Sequence, residues 1–286
     1  MQRMSHRSMG GPLTGILTGV FLSLAAVIAD ARPVILGLFD LTGQAETVVQ
    51  GKVSDFHGEN LTVQVQKAVK GHAEPGPLQL HVDPPRTYEE SPLHVSAGDD
   101  VLVFLAPGSN PARPIWDAQG VVKTAAAEVD AAARAVERIS EFQAAQGREA
   151  REAALAQILA LDFAPAAGEA LGIIYGGEDV STRALVPPVL ALACGGPAST
   201  RVRAVQALGR IGGRPEIPAL IDLLADPNAR VAEIAFDLLR RWTRRDVGFK
   251  GTDPVERRRR TADEWRQWWQ VNKGSAVLPN VPRVSE

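Results

Sequence analysis

Residues 200–242, TRVRAVQALGRIGGRPEIPALIDLLADPNARVAEIAFDLLRRW, constrain the fold more than any other stretch. Their apolar residues return at helical spacing in three runs, interrupted at Gly212-Gly213 and at Asp226-Pro227. Glycine pairs let a chain reverse and proline cannot continue a helix, so three helices joined by short turns are predicted. Ala204 and Leu208 recur 31 residues on as Ala235 and Leu239, and Val186-Pro187 recurs at the same interval as Ile217-Pro218. Ala170-Leu171-Gly172 and Ala207-Leu208-Gly209 lie 37 apart, which allows for an insertion of about six residues. Such a period describes stacked two-helix units, each burying its apolar face on the next. Ala204 and Ala207 are small enough for close helix approach, Leu208, Leu220 and Leu224 fill the layer between, and Pro218 falls in a first turn where its missing N–H costs little.

Ahead of this region the period changes. Between Glu46 and Thr124, Leu61, Val63 and Val65 alternate with polar residues, as do Leu78, Leu80 and Val82, while VLVFL from Val101 to Leu105 is a continuous apolar run suited to a strand covered on both faces. With further runs at Thr47–Val53 and Gly120–Thr124, these segments predict five short strands and a small closed or nearly closed β-barrel. From Ala125 the period becomes helical again, with Val129, Ala132, Val136, Ile139 and Phe142 on one face as far as Gly147. That stripe predicts a connecting helix packed on the first repeat.

The strand region VVQGKVSDF … LTVQVQKAVKG … SAGDDVLVFLAPG is similar to small exported bacterial domains of the oligonucleotide/oligosaccharide-binding barrel type, in the version shared with netrin-like and metalloprotease-inhibitor domains. Those relatives use an N-terminal cysteine and disulfides, which this region lacks, so inhibition by their mechanism is not implied. The helical region resembles the HEAT-like repeats of bacteria most closely from Arg201 to Asp226. Its first unit is degenerate, with Tyr175 where the repeat has a glycine. The combined expectation is a multidomain α+β protein, with an N-terminal OB/netrin-like β-barrel over 32–124, a connecting helix over 125–147 and a C-terminal α-helical HEAT-like solenoid over 148–272. A disordered tail is expected at 273–286.

The N-terminus has Arg3, His6 and Arg7, then an uncharged apolar run from Gly10 to Ala29, then the small residues Ala29 and Ala31. That pattern predicts a secretory signal peptide over 1–31, cleaved after Ala31, hence a periplasmic or secreted protein. Ile16–Ile28 is shorter than the ~20 residues that span a bilayer, so no membrane span is expected after cleavage. Cys194 is the only cysteine, which excludes an intramolecular disulfide; within LALACGG it reads as a small buried core residue. With no histidine after Lys123, a catalytic thiol there has no imidazole base in the helical half.

Charge argues against nucleic acid. The chain carries a formal net charge of −2, and 32–125 holds 7 Lys and Arg against 11 Asp and Glu. Phosphate neutralisation needs a basic groove, which neither half offers. His57, His72, His81 and His94 invite a metal reading, yet no pair has a spacing that forces convergence, so they read as solvated. No cofactor is implied. The C-terminal segment is richer in recognition chemistry: Arg257 to Arg260 is a four-arginine run, Thr261 and Glu264 fit a helix-capping box, and Trp265, Trp268 and Trp269 share one helix face. These residues predict either a cap over the last repeat or a partner surface, because repeat arrays need caps while Trp and Arg dominate binding hot spots. Candidate partner contacts are Arg258, Arg259, Trp265, Trp268, Trp269 and, in an acidic proline-rich loop, Tyr88. The functional expectation is a non-catalytic, exported interaction or scaffold protein that binds another protein through its helical surface. The alternative is metal or ligand binding, with possible enzyme activity, by the barrel's histidines with Asp83, Asp99 or Glu89.

Overall fold

The computed structural model describes residues 37–83, 93–109, 112–177 and 183–274; the expected signal peptide, Tyr88, Glu89 and the tail from Ser275 lie outside them. The strands follow the sequence pattern closely. After a short helix α1 (Leu38–Gln44) come β1 (Thr47–His57), β2 (Asn60–Lys70), β3 (Gly76–His81), β4 (Asp100–Leu105) and β5 (Val121–Thr124). They form one antiparallel sheet in the order β3-β2-β1-β4-β5. Gly51 lies where β1 presses on β2: a Cβ there would stand 2.5 Å from the Gln64 carbonyl oxygen.

This sheet is open, which corrects the expected closed barrel. Closure requires the two outer strands to meet with a consistent stagger, whereas here β3 and β5 remain at opposite edges. The segment after β4 makes only isolated bridges, pairing Ala112 with Leu80 of β3 and Pro114 with Leu105 at the end of β4. Pro114 has no N–H, so it cannot extend a ladder. The two sheet faces then meet different partners. Val49, Val63, Val65, Val101 and Val103 make one apolar layer with Leu80 and Val121, covered by Leu93, Val95 and Ala112. Val48, Leu102 and Phe104 point the other way, into a core shared with the helices.

Among the described residues eight further α-helices follow: α2 (Val129–Ala144), α3 (Arg148–Leu159), α4 (Ala164–Gly176), α5 (Val186–Gly195), α6 (Ala198–Ile211), α7 (Ile217–Leu223), α8 (Ala229–Thr243) and α9 (Val255–Asn272). The breaks at Gly212-Gly213 and Asp226-Pro227 separate α6, α7 and α8 as their sequence predicts. In α2, Ala132, Val136 and Ile139 are fully buried, and the helix packs on β2 and β4 as well as on α3. Gln50 of β1 donates to Asp130 in the first turn of α2 at 3.2 Å. The described residues belong to one compact unit. Beyond α2, α4 packs on α6 and α6 on α8, while α3 touches α5 and α7 touches α9, giving two layers of helices. Among the described residues no helix is long and apolar enough to cross a membrane.

Phe104, with 0% exposure at the junction of sheet and helices, tests this shared core. Phe104→Ala is expected to cost about 3–5 kcal/mol. Far-UV circular dichroism and tryptophan fluorescence should report one coincident melting transition at a lower temperature. A lowered sheet transition with an unshifted helical one would contradict a single core.

Candidate partner-binding surface

The C-terminal helix α9 closes the stack. Its Arg258, Ala262, Trp265 and Trp269 face inward, Trp265 with 0% exposure, and Trp268 is half-buried. The Trp265 and Trp268 rings meet edge to face at 5.4 Å. The guanidinium of Arg245 lies 5.3 Å from the centres of both rings, and Arg214 lies 5.5 Å from that of Trp269. Cations over indole faces add to the burial of so much aromatic surface. Arg259 is exposed and pairs with Glu256 at 3.0 Å. The helix also begins earlier than the expected capping box: Pro254 precedes its first turn, and Thr261 sits inside it with its hydroxyl donating to the Arg257 carbonyl at 3.1 Å. The arginine run thus forms the helix's first turns.

Arg258 explains how α9 is held. Its guanidinium donates to the backbone carbonyls of Asp226 and, at 3.1 Å, Asp253. The Asp226 carboxylate accepts two bonds from Arg201 of α6, at 2.8 and 2.9 Å, and one from the Asn228 N–H at 2.7 Å. This turn clasps α6, α8 and α9 together, and the Asp226 hydrogen bond holds the Arg201 guanidinium above its ordinary pKa. Asn228 in turn caps α8 by accepting from Arg230 and Val231.

A different surface remains open. The outward faces of α4, α6 and α8 line a groove of about 510 Å³ bounded by Tyr175, Gln206, Ile234, Asp237, Leu238, Arg240 and Arg241. Tyr175, on the last turn of α4, is 55% exposed. Three arginines lie across the glycines of the neighbouring helix. Arg203 donates to the Gly168 carbonyl at 3.0 Å, Arg210 covers Gly177, and Arg241 lies against Gly209. Gly177 has φ 78°, a left-handed backbone that favours glycine, and the Arg210 guanidinium lies over it. Asp237 pairs with Arg240 at 3.2 Å. Among the described residues, no carboxylate pairs with Arg203 or Arg210.

The histidines scatter. His57 and His72 are exposed beside Asp55 and Glu74, and His94 is exposed as well. His81 lies 3.0 Å from Asp83 and 3.6 Å from Glu59, and Asp83 also meets Arg113 at 3.2 Å. Asp99 is taken by Lys123 at 2.7 Å, the main reason its carboxyl lies below the usual range. Among the described residues no group of three His, Cys, Asp or Glu side chains is placed to hold a metal ion. Cys194 is exposed, a correction to the expected core position, because it sits on the outer side of α5 while Val189 and Ala193 face in. Desolvation, then the carboxylates of Asp222 and Asp226, push its thiol pKa up, which opposes thiolate formation.

Of the residues singled out from sequence, α9 brings Arg258, Trp265 and Trp269 into the interior and leaves Arg259 outside. The groove residues on α6 and α8 were not singled out. Part of their signal was present: Gln206, which lines the groove, shares with Arg203 and Arg210 a polar stripe opposite the apolar residues Ala204, Ala207, Leu208 and Ile211. A polar stripe of this kind is also what any solvated helix face shows, and only the neighbouring helices turn it into a groove. No protein-family model, curated protein or solved structure matches the chain.

The clasp at Asp226 yields a stability prediction. Asp226→Asn leaves Arg201, whose side chain is 15% exposed, facing a neutral amide. The expected loss is about 2–3 kcal/mol, below the full cost of breaking a buried pair because Arg201 retains some water. Urea unfolding checks this; a loss under about 0.5 kcal/mol would place the pair among surface bridges.

Proposed function

We propose that this is a non-catalytic, exported interaction protein that binds another protein through the groove face of α4, α6 and α8. The observation that carries the reading is Tyr175, an exposed aromatic at a groove whose rim includes Arg240 and Arg241 of α8. Tyrosine and arginine are enriched among binding hot spots, because each offers a large, partly apolar contact with a directional polar end. The tryptophans of α9 are engaged in closing the stack, which favours the groove over the C-terminal face as the place of contact. The 1–31 segment supports export through its basic start, apolar run and small residues at the cleavage position.

Two experiments test the two halves of this reading. Tyr175 replaced by a photo-crosslinking phenylalanine analogue should give a discrete adduct in the extracytoplasmic fraction, and that adduct should fade when Arg210→Glu is added. Adducts of equal yield from an analogue placed at Arg138, on the far helix α2, would mean non-specific capture and sink the assignment. Intact mass of the exported protein should correspond to a chain beginning at Arg32. A chain still beginning at Met1 would show that the segment is retained.

A further inference from the structure

We infer that the cleft shared by the first turns of α4 and α6 binds a small carboxylic acid with an apolar chain. The cleft lies at the opposite end of α4 from Tyr175, and its assignment does not depend on the interaction reading above. Three observations carry it.

The first is the meeting of two uncapped helix N-termini. Arg203 of α6 reaches the Gly168 carbonyl of α4, and Arg210 covers Gly177 just past the end of α4, so the two helices run side by side in the same direction. Their starting ends line one cleft of about 420 Å³, with Phe163 and Ala164 from the first and Pro197 and Thr200 from the second. Phe163 and Pro197 occupy the two cap positions, and neither side chain carries an acceptor. The first bonds of the two helices run from the Ala167 N–H to the Phe163 carbonyl at 3.2 Å and from the Arg201 N–H to the Pro197 carbonyl at 2.8 Å. Among the described residues the N–H groups of Ala164 and Thr200 therefore have no acceptor. Parallel helix dipoles put partial positive charge at this end of both helices, an arrangement suited to one anion.

The second is a buried hydroxyl. Thr200 lines the same cleft and is 3% exposed, and among the described residues its hydroxyl has no hydrogen-bond partner. A buried polar group left unpaired costs free energy, which an acceptor seated in the cleft would recover.

The third is the character of the walls. Leu159, Leu161 and Phe163 come from the turn between α3 and α4, and Pro188, Ala191 and Leu192 come from α5. Among the described residues no Lys or Arg lines the cleft. A multiply charged phosphate needs cations to offset its desolvation, whereas a single carboxylate can rest on N–H and hydroxyl donors with its chain against the walls. The volume falls within the range of small-molecule pockets, roughly 300–1,000 Å³, which are mostly apolar with a few converging polar groups. Asp162 also lines the cleft; it is exposed, so solvent screens its repulsion of an anion.

Isothermal titration of the purified protein with octanoate tests the proposal. Saturable one-to-one binding is expected, with octylamine and octanol each at least about tenfold weaker. Thr200→Val should weaken octanoate binding about tenfold, the loss of one hydrogen bond to a charged group, while Thr200→Ser keeps the affinity. Ala191→Trp, at an exposed wall position, should abolish binding, and Asp162→Asn should tighten it about twofold. Octanol binding as tightly as octanoate would overturn the proposal, because the helix ends would then contribute nothing. Absence of octanoate binding would overturn it as well, as would unchanged affinity in Ala191→Trp with an unshifted melting curve. Tighter binding of a short peptide ending in a free leucine carboxylate would assign the cleft to a peptide terminus and would also sink the small-acid assignment.

Discussion

Burial of α2 decides the architecture. Its apolar stripe needs cover along its whole length, and Ala132, Val136 and Ile139 find it on the sheet and on α3 together. Each fully buried aliphatic side chain contributes about 1.5–3 kcal/mol relative to exposure. A free connecting helix would forgo several such terms, so docking the sheet onto the helices is strongly favoured. Small residues in the stripe let the backbone come close, and Phe104 and Leu102 fill the space between. Once α2 lies on that face, the sheet cannot also roll up around it.

The short helix α1 reinforces the same junction. A seven-residue helix is not stable alone, and this one is held at both ends by charged side chains from elsewhere. The Glu169 carboxylate of α4 receives its first two N–H groups, satisfying donors that have no partner within the helix. Lys70 of β2 donates to the carbonyls of Thr42 and Ala45 at its other end, at 2.6 and 2.8 Å. The charges match the helix dipole at each end. α1 thereby ties β2 to α4, across the boundary where two domains were expected.

Within the helical layers, turns are held by charge where the chain reverses. Arg201 meets Asp226, Arg258 reaches the Asp226 carbonyl, and Arg183 meets Glu216, which also receives the Gly213 N–H. Asp226 and Glu216 are both buried, so each needs its partners to remain charged at low cost. These pairs orient the helices, and hydrophobic layers supply most of the stability. The result leaves the outer faces of α4, α6 and α8 fixed in relation to one another. A groove made by three separate helices depends on that rigidity.

Local pattern carried much of the structure. Alternation of Leu61, Val63 and Val65 placed β2, the VLVFL run placed β4, and glycine, proline and Asp226-Pro227 placed the helix breaks, because strand and helix periods and backbone restrictions act over a few residues. The closed barrel was not among the things such patterns decide. A continuous apolar strand is buried on both faces whether a helix or more sheet covers it, and only the packing of α2 on Leu102 and Phe104 settles which. The same limit applies to function. Trp265, Trp269 and Arg258 have the composition of a binding site, yet tertiary packing turns them inward, while Tyr175, Gln206 and Arg241 look like ordinary surface until α4, α6 and α8 are set side by side. Composition is local, but exposure and convergence are properties of the assembled chain.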